Sequence, residues 1–468
     1  MLTAKNLRLK YPNTDHKIFD GLDINVKTGE KVLLLGPSGS GKSTLLNVLS
    51  GIVPDLIELP MKYDQLEIDT HSGVIFQDPD SQFCMPKVHE ELAFILENQQ
   101  VPRAEMDAKI SSALKAVDLH VNPHQFISQL SGGMKQKLAI AETLLQNAQT
   151  LFLDEPTAML DESATQELWT KIKALWQDKT VLIVEHKVAH IWEHIDRVLL
   201  FNYEGKIIAD APPQMMLQQY EDLLTEYGVW HPNAWSHAPK AILSNNDTVQ
   251  QELFTFINGE IKRGAKTLIT IDKMSIKPGE FITITGPNGS GKTSLLESIM
   301  QLIKYHGDMY INDKRIKKIK NMAQYSYLVY QNPELQFITN SVYDEVLLQF
   351  NKSDNATAKR KTKELLQTLS LEHVMTQHPY ELSMGQKRRL SVATALSAEA
   401  DIILLDEPTF GLDSHNTFNL ISLFQQRVTE GQTVIMVTHD AEIINRYATR
   451  RLHIEQQQLI ELSGETHV

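Results

Sequence analysis

The sequence predicts an α/β fold built as two tandem domains of the same kind. A glycine-rich stretch with the pattern G-x-x-x-x-G-K-[ST] occurs twice, at residues 36–44 and 286–294. Each copy follows a short apolar strand and precedes a helical stretch, and in that context the pattern typically binds phosphate. A length of 468 residues with 42% hydrophobic and 22% charged residues suffices for two hydrophobic cores. We therefore expect a tandem repeat of one nucleotide-binding α/β domain.

The two halves carry the same motifs in the same order at a nearly constant displacement of 250 to 254 residues. The repeated pairs are Lys42 and Lys292, Gln77 and Gln331, Ser131 and Ser383, Asp154 and Asp406, and His186 and His439. A displacement this constant indicates an internal duplication. We expect the first domain, with its linker, over residues 1–238 and the second over residues 239–468.

The two glycine-rich stretches have the residues that a phosphate-binding loop needs. Glycines let the backbone turn tightly, so that successive N–H groups face one set of phosphate oxygens, and the following helix directs its positive end at the same anion. Lys42 and Lys292 are predicted to bind the β- and γ-phosphates, and the hydroxyls of Ser43 and Thr293 to bind Mg²⁺. The other predicted ATP contacts of the loops are Gly36, Ser38, Gly39, Ser40, Gly41 and Thr44 in the first half and Gly286, Asn288, Gly289, Ser290, Gly291 and Ser294 in the second.

An apolar strand in each half ends in two adjacent carboxylates. The first half has Asp154 and Glu155, and the second has Asp406 and Glu407, each pair followed by Pro-Thr. The aspartates are predicted to hold the Mg²⁺ shell, and the glutamates to act as the base for the attacking water. An ordinary pair of carboxylates at a turn is the alternative, and the repeated apolar strand and Pro-Thr argue against it.

A histidine and a glutamine follow two further strands in each half. His186 and His439 are predicted to contact the γ-phosphate and orient the attacking water, although a single histidine at a strand end is more often a core residue. Gln77 and Gln331 are predicted to bind Mg²⁺ or water and to report the nucleotide state to a partner.

Tyr11 precedes Gly36 by 25 residues, where its ring either stacks on a purine base or packs at the end of a strand. Ile261 stands at the same spacing in the second half, and Phe254 or Phe256 is the aromatic alternative there.

These motifs, together with Leu-Ser-Gly-Gly at residues 130–133 and Leu-Ser-Met-Gly at residues 382–385, resemble those of the ATP-binding-cassette ATPases over nearly the whole chain, twice. The resemblance implies two tandem P-loop ATP-binding-cassette domains, each a mixed-sheet nucleotide-binding core with a helical subdomain. It also implies that the two halves form an intramolecular head-to-tail pair, in which the signature of each half closes the ATP site of the other. The signature residues implied to contact ATP are Ser131, Gly132 and Gly133 in the first half and Ser383 and Gly385 in the second. Met384 replaces a family glycine, and it either costs about 1 to 2 kcal/mol in a left-handed backbone or adopts an ordinary angle at no cost.

Two heptapeptides, at residues 77–83 and 331–337, share the pattern Gln-[Asn/Asp]-Pro-acid-x-Gln-Phe. The pattern resembles the ATPases of energy-coupling-factor importers, which take up vitamins, vitamin precursors and transition metals. That resemblance implies two partners, a transmembrane coupling protein and a substrate-binding membrane component, with ATP closing the two cassettes and hydrolysis opening them. Gln82 and Gln336 are expected either to act near the membrane partner or to cap their loops.

Charge and composition narrow the alternatives. The net charge is −13, and residues 202–250 contain only Lys206 and Lys240 as basic residues, so no nucleic-acid partner is expected. A soluble twin-cassette ATPase that acts on ribosomes or nucleic acid, or the ATPase of another ABC transporter class, remains the alternative. Cys84, the single cysteine, cannot form an intrachain disulfide and is expected to be partly buried. No run of about 18 apolar residues occurs, so no segment is expected to span a bilayer. Together with the importer resemblance, this implies a peripheral protein at the cytoplasmic face of the membrane.

Overall fold

Each half of the chain folds around parallel strands that carry the predicted motifs at their carboxyl ends. A computed structural model describes residues 1–12, 16–69, 71–158, 160, 162–242, 251–350 and 354–462. The chain divides into unit 1, Met1–His237 with Asp413–His415, and unit 2, Ala238–Leu412 with Asn416–Val468. The linker residues 243–250 lie outside the described part.

Unit 1 contains a small antiparallel sheet and a six-stranded mixed sheet. The small sheet has the order β2-β1-β4, with β5 also paired to β1, and the mixed sheet has the order β10-β9-β3-β8-β7-β6. The strands are β1 (Leu2–Lys10), β2 (Lys17–Val26), β3 (Lys31–Leu35), β4 (Met61–Lys62), β5 (Gln65–Glu67), β6 (Ser72–Ile75), β7 (Thr150–Asp154), β8 (Thr180–Val184), β9 (Arg197–Phe201) and β10 (Ile207–Ala211). The helices are α1 (Lys42–Leu49), α2 (Ile52–Asp55), α3 (Val88–Asn98), α4 (Arg103–Ala116), α5 (Gly132–Gln146), α6 (Glu162–Leu175) and α7 (Pro213–Glu226).

Unit 2 joins the corresponding strands into one ten-stranded mixed sheet of order β15-β14-β11-β12-β20-β19-β13-β18-β17-β16. The strands are β11 (Phe254–Arg263), β12 (Lys266–Ile276), β13 (Phe281–Thr285), β14 (Tyr305–Ile311), β15 (Lys314–Ile316), β16 (Ser326–Val329), β17 (Ile402–Asp406), β18 (Thr433–Val437), β19 (Arg450–Glu455) and β20 (Gln458–Leu462). The helices are α8 (Lys292–Ile299), α9 (Ile319–Met322), α10 (Val342–Leu347), α11 (Asn355–Thr368), α12 (Met384–Ser397), α13 (Ser414–Thr429) and α14 (Ala441–Tyr447). The predicted fold class is confirmed.

Strand β3 shows why the sequences of the central strands are continuous apolar runs. Leu33 and Leu35 pack into one hydrophobic core of unit 1, whereas Val32 and Leu34 pack into the other. Successive side chains of a strand point to opposite faces, so a strand covered on both faces needs apolar residues at every position. Helices α3 and α4 pack on α5 beside this core, and α10 and α11 pack on α12 in unit 2.

The amino-terminal hairpins of the two units have matching strand register next to their turns but connections of different length. In unit 1, Leu9 pairs with Phe19 and Lys10 with Lys17, so the pairing skips one residue of β2. In unit 2, Ile261 pairs with Ile269 and Lys262 with Thr267, with the same skip. Residues 11–16 connect the first pair and residues 263–266 the second, so the connection is two residues shorter in unit 2.

Candidate ATP-binding and hydrolysis sites

Both phosphate loops turn between a strand and a helix that begins at the predicted lysine. At Gly36 the φ angle is 141°, and a methyl group added there would lie 2.5 Å from the carbonyl oxygen of Phe201. At Gly286 the φ angle is 144°, and the same group would lie 2.8 Å from the carbonyl oxygen of Ile454. Only glycine fits these positions, because a side chain would meet backbone.

The two lysines lie back across their own loops. Lys42 Nζ donates to the carbonyl oxygens of Gly36 and Pro37, each at 2.8 Å. Lys292 Nζ donates to Gly286 at 2.8 Å and to Pro287 at 3.0 Å. Burial lowers the pKa of Lys42 to about 8, against the opposing charges of Glu155 and Asp154. These ammonium groups lie where phosphate oxygens can replace the carbonyl partners.

The hydroxyl that follows each lysine contacts the predicted aspartate. Ser43 Oγ donates to Asp154 Oδ1 at 2.9 Å, and Thr293 Oγ1 donates to Asp406 Oδ2 at 2.7 Å. Burial raises the pKa of Asp154 to about 6, although the hydrogen bond from Ser43 opposes the rise, and burial also raises the pKa of Asp406. A hydroxyl and a carboxylate oxygen in contact are hard oxygen donors, so these residues fit Mg²⁺.

Glu155 is held between a histidine and a glutamine at the end of β7. His186 Nε2 lies 3.1 Å from Glu155 Oε1, and Gln77 Nε2 donates to Glu155 Oε2 at 2.7 Å. Burial favours the neutral forms of Glu155 and His186, but their hydrogen bond and opposite charges outweigh it, lowering the pKa of Glu155 and raising that of His186. The result is an ionised carboxylate beside a proton-bearing imidazole.

The corresponding residues of unit 2 lie in a similar arrangement. His439 Nε2 lies 3.5 Å from Glu407 Oε1, and Gln331 is exposed just after β16. Glu155 and Glu407 both have a left-handed backbone, with φ angles of 47° and 50°. Non-glycine residues in this region cost of order 1–3 kcal/mol and are often found at functional sites, where the surrounding structure holds them.

The signature serines cap the helices that follow them. Ser131 Oγ accepts from the N–H of Met134 at the start of α5, and Ser383 forms a capping box with Gln386 at the start of α12. Met384 is the first helical residue of α12, so its backbone angle is ordinary and the strain considered above does not arise. Its side chain is 62% exposed.

The structure corrects the expected base contact of the second half. Tyr11 is 43% exposed, and its hydroxyl lies 2.8 Å from Thr44 Oγ1 beside the first phosphate loop. Ile261, Phe254 and Phe256, in contrast, are fully buried in β11, so none of them can stack on a base. The spacing count fails because it crosses the hairpin whose connection is two residues shorter in unit 2.

The second glutamine of each heptapeptide anchors its loop to a helix. Gln82 Nε2 donates to Glu142 Oε2 on α5 at 2.6 Å, and Gln336 Nε2 donates to Thr394 Oγ1 on α12 at 2.8 Å. Cys84, two residues beyond Gln82, is exposed, so its expected burial is wrong. It follows a short turn at the surface, where loop residues ordinarily lie.

Two features near His186 are not predicted by the sequence motifs. Glu185 is buried and accepts a hydrogen bond from Thr157 Oγ1 at 2.6 Å and another from the N–H of His186 at 2.8 Å. Tyr227 and Trp230, just after α7, line the same pocket as the first phosphate loop and His186. A glutamate directly before the strand-end histidine is visible in the sequence, but its burial is not.

Comparison with known proteins identifies the family. The profile described as "ABC transporter" matches residues 19–158 and 270–410, one match in each half. The chain belongs to the ABC transporter family. It carries two ATP-binding cassettes in one polypeptide and is an ATPase.

Relatives and solved structures agree with this assignment. A Bacillus subtilis protein provisionally named HMP/thiamine import ATP-binding protein YkoD is 34% identical, over 96% of this chain and 88% of that protein. A Saccharolobus solfataricus protein provisionally named ABC transporter ATP-binding protein SSO1893 is 31% identical, over 92% of this chain and 87% of its own length. Among solved structures, RNase-L Inhibitor has a TM-score of 0.68 at 22% identity, covering 98% of this chain and 90% of its own. A complex of archaeal ribosomal stalk protein aP1 with the ribosome recycling factor aABCE1 gives 0.67, with the same identity and coverage. At this identity the structures show a shared fold alone.

Proposed function

We propose that this twin-cassette ATPase energises an energy-coupling-factor importer of a vitamin, a vitamin precursor or a metal ion. The heptapeptide pattern at residues 77–83 and 331–337 is the observation that carries the proposal. The name of the Bacillus subtilis relative, which refers to import of HMP and thiamine, supports it. Among the residues that the structure describes, no helix has the length and hydrophobicity to cross a membrane. In the importers that the heptapeptides resemble, the membrane partners are separate polypeptides, and we propose that this ATPase joins such partners at the cytoplasmic face.

The residues of each cassette divide the work of hydrolysis between binding and proton transfer. Lys42 and Lys292 exchange their loop carbonyl partners for phosphate oxygens. Mg²⁺, when bound, would neutralise charge on the phosphates, and Ser43 with Asp154, and Thr293 with Asp406, would hold it.

The glutamate beside each aspartate accepts the proton of the attacking water. The ionised carboxylate of Glu155 suits this task, and His186 orients both the carboxylate and the γ-phosphate. Glu407 and His439 have the same roles in the second cassette.

The proposed cycle couples ATP to closure of the two cassettes, residues 1–238 and 239–468. Ser383 and Gly385 would complete the first site, and Ser131, Gly132 and Gly133 the second. The serine hydroxyl and the N-terminus of its helix offer donors to the γ-phosphate, so ATP favours the closed arrangement and hydrolysis releases it. Fusion in one chain raises the effective concentration of each half for the other.

An exposed apolar surface, formed by one residue of the second heptapeptide and the residue directly after it, is the proposed contact with the coupling protein. Leu335 and Ile338 are 70% and 75% exposed, although apolar side chains of this size are usually buried. Ser81 and Cys84 stand at the same places in unit 1. We expect the second cassette to contribute more apolar contact with the membrane partner than the first.

A soluble ATPase that acts on ribosomes is the second candidate, because the structural neighbours include a ribosome recycling factor. The likeness concerns the fold, which is shared by ABC proteins of different function. Residues 202–250 contain Lys206 and Lys240 as their only lysine or arginine residues. This scarcity of positive charge disfavours contact with a phosphate backbone.

Copurification separates the two candidates. The tagged full chain should be recovered from detergent-solubilised membranes with a transmembrane coupling protein and a small substrate-binding membrane protein. Leu335→Ser with Ile338→Ser should reduce that recovery, whereas Leu56→Ser, which changes an exposed leucine of unit 1, should not. Recovery with ribosomes and without membrane proteins would reject the importer proposal.

A further inference from the structure

The second ATP site has an exposed arginine where the first has Tyr11. Lys10 and Lys262 are equivalent positions, because each forms the first pair after the same skipped residue. The next residue is Tyr11 in unit 1 and Arg263 in unit 2. Both strands also have a left-handed asparagine at the same register position, Asn6 with φ 51° and Asn258 with φ 50°. Structural register, rather than distance along the chain, therefore pairs Tyr11 with Arg263.

Both hairpins pack on their own phosphate loop in the same way. A methyl group added at Gly41 would lie 2.6 Å from Ile18 Cγ2, and one added at Gly291 would lie 3.1 Å from Ile269 and 3.2 Å from Leu268. Ile18 and Leu268 are the skipped residues of the two hairpins. Because the hairpin is fixed against the loop in each unit, we infer that Tyr11 and Arg263, at matching register positions, lie at the same edge of their loops.

Electrostatics also places Arg263 near the helix that follows the second phosphate loop. Burial raises the pKa of Glu297 on α8, the charge of Asp406 adds to the rise, and Arg263 opposes it. Tyr11 likewise contacts the helix of its own unit, through Thr44 on α1.

We propose that Arg263 is the base-contacting residue of the second ATP site, with its guanidinium stacked on the purine. The guanidinium is planar, permanently charged and weakly hydrated, and it stacks on aromatic faces. A nucleobase presents such a face, and stacking contacts of this kind tolerate different bases. The first site therefore holds the base with a tyrosine ring and the second with a cation. This inference depends on the ATPase activity and not on the proposed transport function.

Ligands with and without a base test the proposal in the full chain. Lys42→Ala removes binding at the first site, and ATP and inorganic tripolyphosphate are then titrated calorimetrically without Mg²⁺ at fixed salt. Arg263→Ala should weaken ATP binding about five- to tenfold. Its affinity for tripolyphosphate should stay within about twofold, which also shows that the variant is folded, because the proposed contact is with the base.

Three further variants show whether the charge or the planar surface of Arg263 contributes to ATP binding. Arg263→Tyr should keep most of the ATP affinity. Arg263→Lys, which has charge without a planar surface, should lose most of the ATP affinity that Arg263 contributes. Lys266→Ala, in the same turn, is the matched control and should change neither ligand. Unchanged ATP affinity in Arg263→Ala, or an equal loss for tripolyphosphate, would overturn the proposal, the second outcome assigning Arg263 to the phosphates.

Discussion

The predicted reacting groups of the two cassettes are nearly the same, but some buried polar residues of the two units differ. Both have the lysine, aspartate, glutamate and histidine, and both place the glutamate in a left-handed backbone. In unit 1, Gln136, Glu142 and Glu185 are buried, and the positions 252 to 253 residues later hold Arg388, Thr394 and Thr438. The duplication has kept the predicted reacting groups and has changed several of the buried polar residues. The two sites should therefore share one chemistry while differing in stability and response to pH.

Removing the two glutamates tests whether both sites hydrolyse ATP. Glu155→Gln with Glu407→Gln should lower kcat about 100-fold or more, because a positioned general base contributes 10²- to 10⁴-fold. Each single variant should retain part of the turnover, since the other site is intact. The measurement is steady-state phosphate release by the full chain.

Glu105→Gln, which changes an exposed glutamate of α4, is the control for a lost negative charge and should not alter kcat. If either single variant abolishes turnover as fully as the double variant, the sites do not act separately and the comparison of two working sites fails.

Arg388, which lies near the predicted catalytic carboxylates of unit 2, tests this difference between the buried polar residues. Arg388 is buried and donates to the carbonyl oxygen of Tyr330 at 3.3 Å, and it lies near Asp406 and Glu407, whose charges oppose the lowering of its pKa by burial. Arg388→Leu should lower the free energy of unfolding by about 1–3 kcal/mol, because it leaves buried polar partners unpaired.

Gln136→Leu is the matched change in unit 1 and should have no effect or raise stability. Among the described residues, neither amide atom of the buried Gln136 has a hydrogen-bond partner, so leucine removes no bond. Urea unfolding of both variants checks the prediction. An equal loss in the free energy of unfolding for the two variants would mean that Arg388 and Gln136 contribute alike to stability.

Repeated patterns predict the parts of the site that depend on local geometry. A strand, a glycine turn and a helix in succession bring Lys42 to its loop, and a strand ending in Asp-Glu brings Asp154 to Ser43. These positions could be predicted because each motif contains its own structural context. The backbone conformation of Met384 could not be predicted, because it depends on the residue at which α12 begins.

Pairings between distant residues could not be predicted in this way. The equivalence of Arg263 and Tyr11 could not be found by counting residues, because the count crosses a connection of unequal length. Only the strand pairing reveals that difference. Glu185 and Glu142 look like ordinary surface carboxylates in the sequence, since burial is set by segments packed on them from elsewhere in the chain. Constraints that cross the fold are therefore the ones that sequence spacing misses.

Glu142 gives the smallest effect and the sharpest test of different pH responses. It is buried on α5 beside Gln82, and burial raises the pKa of its carboxyl well above the ordinary 4.5, with the nearby Glu91 adding to the rise. The folded state then holds this proton more tightly than the unfolded chain does. The stability that the protonated carboxyl contributes is full below the unfolded pKa and is lost as pH rises toward the folded pKa.

Glu142→Gln keeps a neutral side chain of the same size at every pH. Its free energy of unfolding, relative to the original chain, should therefore be higher at pH 8 than at pH 5, by about 1 kcal/mol. Thr394→Ser at the matching place in unit 2 carries no titrating group and should give the same difference at both pH values. Urea unfolding at the two pH values measures both variants. A difference that is the same at both pH values would mean that the Glu142 carboxyl has the same pKa in the folded and unfolded states. The two units would then not differ in pH dependence of stability at this position.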